Sequence, residues 1–140
     1  MPSAKFIFPP NFENLAHNRT FTIQIAIRNL QTGYFANPDT TYLAAPQMLN
    51  DEGNVIGHSH VAIEHITGFG QTTPTDPKIF AFYKGVNTPA VNGILSVNVT
   101  GGLPAGYYRA SVLTTALNHQ TGVCGLFHPR QIPLAHGLTD

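Results

Sequence analysis

Along residues 20–29 the chain alternates. Phe21, Ile23, Ile25 and Ile27 are apolar, and Thr22, Gln24, Ala26 and Arg28 between them are small or polar. Successive side chains of a strand point to opposite faces, so this alternation predicts one face in a core and one toward water. Residues 55–66, 94–99 and 107–115 read as further strands, and in the last Tyr108, Ala110 and Val112 share a face. A short strand is expected within 34–45, broken at Asn37-Pro38-Asp39 and closed by Pro46, and another near 123–127. The aromatic run Phe80, Phe82, Tyr83 favours a strand over 78–84, although Asp76-Pro77 also suits the opening of one helical turn. Turn signals separate these segments at Gln31-Thr32-Gly33, at 50–54, through the Pro-punctuated 72–77 and at Gly101-Gly102. Seven or so strands without a long helix predict an all-β, antiparallel β-sandwich, immunoglobulin-like or jelly-roll. The chain of 140 residues suits one domain, 1–140, with an ordered core over about 18–135.

The segment from Leu103 through Pro104, Ala105, Gly106 and Tyr107 to Tyr108 adds detail. It resembles the tyrosine corner of immunoglobulin-like sandwiches, which implies that the Tyr108 hydroxyl anchors the preceding loop and that Ala110 stands where antibody domains carry a cysteine.

Composition narrows the class of protein. Hydrophobic residues make up 42% and charged residues only 10%, against about 25% in ordinary soluble domains. Solubility then rests on neutral Thr, Asn, Gln and Gly, a balance that suits an extracellular β protein. Seven Lys/Arg cancel seven Asp/Glu, and the bases are scattered, so no basic stripe meets a nucleic acid or an anionic membrane. No apolar run reaches the ~20 residues of a membrane span. No signal peptide leads the chain, so secretion is expected of a precursor rather than read from Met1 onward. Sequons occur at Asn18 and Asn98, though this composition produces one or two by chance. Cys124, the lone cysteine, forms no intrachain disulfide and reads as an inert thiol.

The chemistry concentrates in His58-Ser59-His60 and Glu64. In a strand His58, His60 and Glu64 share a face, so two imidazoles and a carboxylate can converge on one divalent transition metal. This His-x-His-x-x-x-Glu spacing resembles the first cupin motif, which implies a metal inside a small barrel and a further histidine from a later strand. His119 is the candidate for that ligand. Where the second cupin motif has a histidine, Pro104-Ala105-Gly106 leads here to Arg109, which cannot ligate a metal. The plainer alternative is a half-buried strand whose histidine face meets solvent or a neighbouring loop. No nucleophile elbow, phosphate loop or glycosidase carboxylate pair is evident. The aromatic residues Tyr34, Phe35, Tyr42, Phe69, Phe82, Tyr83, Tyr107 and Tyr108 offer faces for sugar rings.

Residues 57–64, 76–87 and 102–109, within a likeness running from about Thr20 to about Gln120, resemble a group of small secreted proteins of filamentous fungi. The resemblance implies an extracellular setting and no particular activity. Two functions are therefore expected: a secreted, non-catalytic binding protein for cell-wall carbohydrate or a small molecule, or a cupin-like metalloenzyme using His58, His60, Glu64 and His119.

Overall fold

The alternating apolar positions are buried as the pattern predicts: Ile23, Ile25 and Ile27 are 0%, 0% and 6% exposed, while Gln24 and Arg28 lie in water. They belong to one of eight strands in the computed structural model, which describes residues 1–37, 39–40, 46–119 and 130–134. In chain order these are β1 Ser3–Phe8, β2 Phe21–Arg28, β3 Leu30–Gln31, β4 Val55–Ile66, β5 Phe82–Val86, β6 Ile94–Val99, β7 Gly106–Ala116 and β8 Arg130–Leu134. There is no helix among the described residues.

Two sheets form. β1, β2 and β6 make an antiparallel sheet with β2 at its centre. The larger sheet runs β3-β4-β7-β8, with β5 also against β4. It is mixed, because β3 pairs parallel with β4 through Leu30↔Val55 and Gln31↔Ile56. β4 and β7 form its spine, paired without a break from Gly57↔Ala116 to Ile66↔Tyr107. Phe6, Ile23, Ile25, Leu95 and Val97 of the small sheet pack against Val61, Ile63, Ala110 and Val112 of the large one. Each large aliphatic side chain withdrawn from water there contributes about 1.5–3 kcal/mol. The fold is a single-domain β-sandwich.

β1, β3 and β8 escape a reading by periodicity, and each for a physical reason. β1 is an edge strand whose large side chains reach the core only through Phe6. β3 is too short to show a period. β8 carries Pro133, which an edge strand tolerates and a central one does not, so the proline disguised it. The strand expected over 78–84 begins later, at Phe82; before it Asp76 Oδ1 accepts the Lys78 N–H at 2.9 Å and closes a turn. Residues 34–37 are irregular, and the rest of the strand expected there, at 38 and 41–45, lies outside the described residues. So do the strand expected over 123–127 and Cys124.

The tyrosine corner is present. Tyr108 is 3% exposed, and its hydroxyl donates to the Pro104 carbonyl at 3.1 Å. Replacing Tyr108 by Phe keeps the packing and removes this bond, so the expected cost is about 1 kcal/mol. It would be read as a lower urea midpoint with an unchanged slope.

Candidate metal centre

β4 turns Ser59, Val61 and Ile63 into the core, so His58, His60, Ala62 and Glu64 take the outer face of the large sheet. Their partners on β7 are Thr115, Leu113, Ser111 and Arg109. At the histidine end this outer face is roofed. The Tyr34 N–H donates to the Gly57 carbonyl at 3.2 Å, and the Ala36 N–H to the Leu117 carbonyl at 2.8 Å. The Leu117 N–H in turn donates to Ile56 at 2.8 Å, tying the turn after β7 to the start of β4. That turn carries His119, held at φ 62 with its N–H on the Ala116 carbonyl at 3.0 Å. Left-handed backbone is uncommon outside glycine, and here it swings an imidazole over the sheet.

Three imidazoles meet as a result. His58 Nε2 lies 3.0 Å from His60 Nε2 and 3.2 Å from His119 Nε2. One ligand nitrogen from each falls within 4.8 Å of the others. The remaining nitrogen of two rings is also engaged. His58 Nδ1 is 2.9 Å from the Tyr34 carbonyl, and His60 Nδ1 is 2.8 Å from the Tyr83 hydroxyl. A carbonyl only accepts, so His58 carries its proton on Nδ1, and the neutral ring presents a bare Nε2 to the centre. Metal-bound histidines are characteristically held in this way by a carbonyl or hydroxyl on the outer nitrogen.

The rings are also kept neutral. His58 is 1% exposed, and burial lowers its pKa, against a bond to the Tyr34 backbone that raises it. His60 is lowered to about 4, first by burial and then by the positive charge His58 and His119 would carry. Burial lowers His119 as well. A metal competes with a proton for an imidazole lone pair, so three depressed histidines are ready ligands near neutral pH.

Glu64 stands apart from this cluster. It pairs with Arg109 at 2.8 Å, directly opposite in the β4–β7 register, and also accepts a short hydrogen bond from Thr75. Burial pushes its carboxyl up, but Thr75 and the Arg109 bonds and charge outweigh burial and leave it below its ordinary value. In the cupin pattern the motif faces the inside of a barrel. Here the histidines occupy the outer face of a sandwich sheet, and Arg109, at the second-motif position, holds the carboxylate. This is not the cupin arrangement. Removing the guanidinium with Arg109→Ala strands a half-buried carboxylate and should cost about 1–2 kcal/mol at pH 7. The depressed carboxyl stabilises the fold above its ordinary value, a contribution lost as pH falls through the folded pKa. Melting both proteins at pH 7 and pH 3 should therefore show the gap shrinking in acid.

Sequence reasoning did not foresee Tyr34, Tyr83 and Thr115 around the cluster. Thr115 Oγ1 is 3.3 Å from His58 Nε2. Nothing local marks these residues, since they arrive through strand pairing and a returning loop. Of the aromatic residues considered for sugar stacking, Tyr34, Phe35, Tyr83 and Tyr107 are exposed and Phe69 and Phe82 half-buried. Tyr108 is buried, and Tyr42 is outside the described residues.

Known proteins place the chain. It is 43% identical over 114 residues to pathogenicity cluster 5 protein d of the fungus Colletotrichum graminicola. That alignment covers 80% of this chain and 24% of the relative, so the chain spans about a quarter of that protein. The match agrees with the fungal resemblance drawn from the sequence. No solved structure matches. The family model described as the CLU5d N-terminal domain matches residues 4–128, and the chain belongs to that family.

Proposed function

We propose that this domain is an extracellular metal-binding module whose ligands are the Nε2 atoms of His58, His60 and His119. One observation carries the reading. The single lone pair of His58 Nε2 faces His60 Nε2, His119 Nε2 and Thr115 Oγ1 at 3.0, 3.2 and 3.3 Å. One lone pair accepts one well-directed proton, so the arrangement is crowded for hydrogen bonds alone. It suits a cation. Nitrogens bound to one ion at about 2.0–2.1 Å stand roughly 3–3.5 Å apart, which is the spacing of His58 Nε2 from the other two rings, and all three ligand atoms lie within 4.8 Å of one another. Neutral imidazoles favour copper and zinc over magnesium or calcium. The extracellular setting is supported by the low charge and by the likeness to secreted fungal proteins. The Colletotrichum relative is named for a pathogenicity cluster, and its name points to no particular ligand.

Metal-free, untagged protein titrated with Zn(II) or Cu(II) in a calorimeter tests this. One ion per chain is expected, with affinity at least about a hundredfold weaker in His60→Gln and His119→Gln and unchanged in Glu64→Gln. Absence of saturable binding, or equal loss in the Glu64 variant, would overturn the assignment.

Carbohydrate binding has a separate candidate in Phe12, Phe69 and Tyr107. Their rings meet edge to face at 83° and 81°, so they do not form the flat platform on which a sugar ring stacks. This supports it less.

A further inference from the structure

If the three histidines bind a divalent ion, the site has two properties that define what else it binds. The first is charge. Among the described residues no carboxylate or thiolate joins the three imidazoles, and Glu64 is committed to Arg109. Three neutral ligands leave the full double charge of the ion in a half-buried place, where a compensating anion is held far more strongly than in water. Three protein ligands also leave a coordination position for an outside molecule.

The second property is the rim. Phe35 meets His58 edge to face with ring centres 6.4 Å apart, and Tyr83 stacks on His60 at 5.5 Å with 23° between the planes. Phe80 lies beside Tyr83 at 5.5 Å. Yet Phe35, Tyr83 and Phe80 are 53%, 54% and 45% exposed. Large aromatic rings touching the ligand imidazoles, directly or through one neighbour, remain in water although His58 is buried and His60 half-buried. Rings so placed present flat apolar surface beside the charge.

We propose that the metal-loaded site binds an aromatic oxyanion, a molecule whose carboxylate or phenolate oxygen takes the open metal position while its ring packs against Phe35 and the Tyr83–Phe80 pair. This rests on the metal assignment above and adds the class of ligand. The oxygen supplies the missing charge, and the ring covers the exposed aromatic surface. A small aliphatic anion satisfies only the first demand, and a neutral arene only the second.

Cobalt(II)-substituted protein gives a direct readout, because a new oxygen ligand alters the visible absorption of the ion. Benzoate, cyclohexanecarboxylate, acetate and benzyl alcohol are the probes. Aromatic contacts add to what the carboxylate alone provides, so benzoate should bind about tenfold more tightly than acetate. Cyclohexanecarboxylate should fall between them, and benzyl alcohol should leave the spectrum unchanged. A Phe35→Ala/Phe80→Ala variant should keep its cobalt and lose most of the benzoate preference. If cobalt binds but acetate and benzoate bind equally, or the double variant keeps the preference, the aromatic-oxyanion inference is overturned and the metal site stands. If no cobalt binds, both are overturned, and the cobalt stoichiometry distinguishes the cases.

Discussion

Metal-free protein taken from pH 7 to pH 4 should lose on the order of 3 kcal/mol of stability through the cluster of His58, His60 and His119, a pKa unit being worth about 1.4 kcal/mol. The sign follows from where protons bind. The folded pKa of His60 is lowered to about 4 from 6.5, because burial and the neighbouring His58 and His119 oppose a charged ring. Between those values the unfolded chain takes up a proton that the native state refuses. The stabilisation is therefore complete above about pH 6.5 and disappears as pH falls toward 4. His58 and His119 shift the same way, so the three rings resist protonation together. Protonated rings with nitrogens 3.0 and 3.2 Å apart repel one another, so the cluster should open first. Chemical unfolding at pH 7, 5.5 and 4 measures this, and His60→Gln should flatten the profile. Saturating zinc should raise stability at pH 7, by about 2.7 kcal/mol at a hundred times its dissociation constant, with the gain vanishing in acid as protons displace the ion. A flat profile in wild-type protein would mean that the rings are solvated rather than packed together.

The second large effect is expected from one added methyl group. A Cβ on Gly57 would stand 2.0 Å from the Thr115 carbonyl oxygen and 2.9 and 3.0 Å from the Ala116 Cα and carbonyl carbon. All three are backbone atoms of β7, paired with β4 at this point, and none can rotate aside. Gly57→Ala therefore has to push the two spine strands apart next to His58. Overpacking commonly costs about 1–3 kcal/mol where side chains can yield; with backbone as the obstacle, about 3 kcal/mol or more is expected. The variant should melt far below wild type, and any folded remainder should bind metal poorly because His58 and His119 have been displaced. Gly68→Ala is the matched control. Its Cβ would meet nothing within 4 Å, so its stability should stay within about 0.5 kcal/mol of wild type. Equal behaviour of the two alanine variants would refute the close β4–β7 approach.

Legibility in this sequence followed burial. The strands read correctly are those with one fully buried face. β2 has its isoleucines inside, β4 and β6 fall at residues 55–66 and 94–99 as expected, and β7 has Tyr108, Ala110 and Val112 in the core. Local polar chemistry was legible too. Asn50 Oδ1 accepts the N–H groups of Glu52 and Asn54 at 3.1 and 2.8 Å, and Gly53 takes φ 76, as its turn composition predicts. The edge strand β6 was legible because Leu95, Val97 and Val99 alternate into the core, whereas β1, β3 and β8 carry no such alternation and are held by backbone pairing with a neighbour.

The candidate site divides along the same line. Spacing along one strand was enough to put His58, His60 and Glu64 on a common face, because the two-residue period is a property of the extended backbone. Whether that face was sealed, and what met it, depended on contacts between residues far apart in sequence. His119 reaches His58 across 61 positions through a turn bonded to the start of β4. Glu64 is taken from the cluster by Arg109, 45 positions away, because the β4–β7 register sets the two side chains opposite each other. Fold class and the shared face both follow from local periodicity along the chain. That the third partner is a histidine rather than a carboxylate follows from strand register and loop return, which are set by the whole core and leave no local mark.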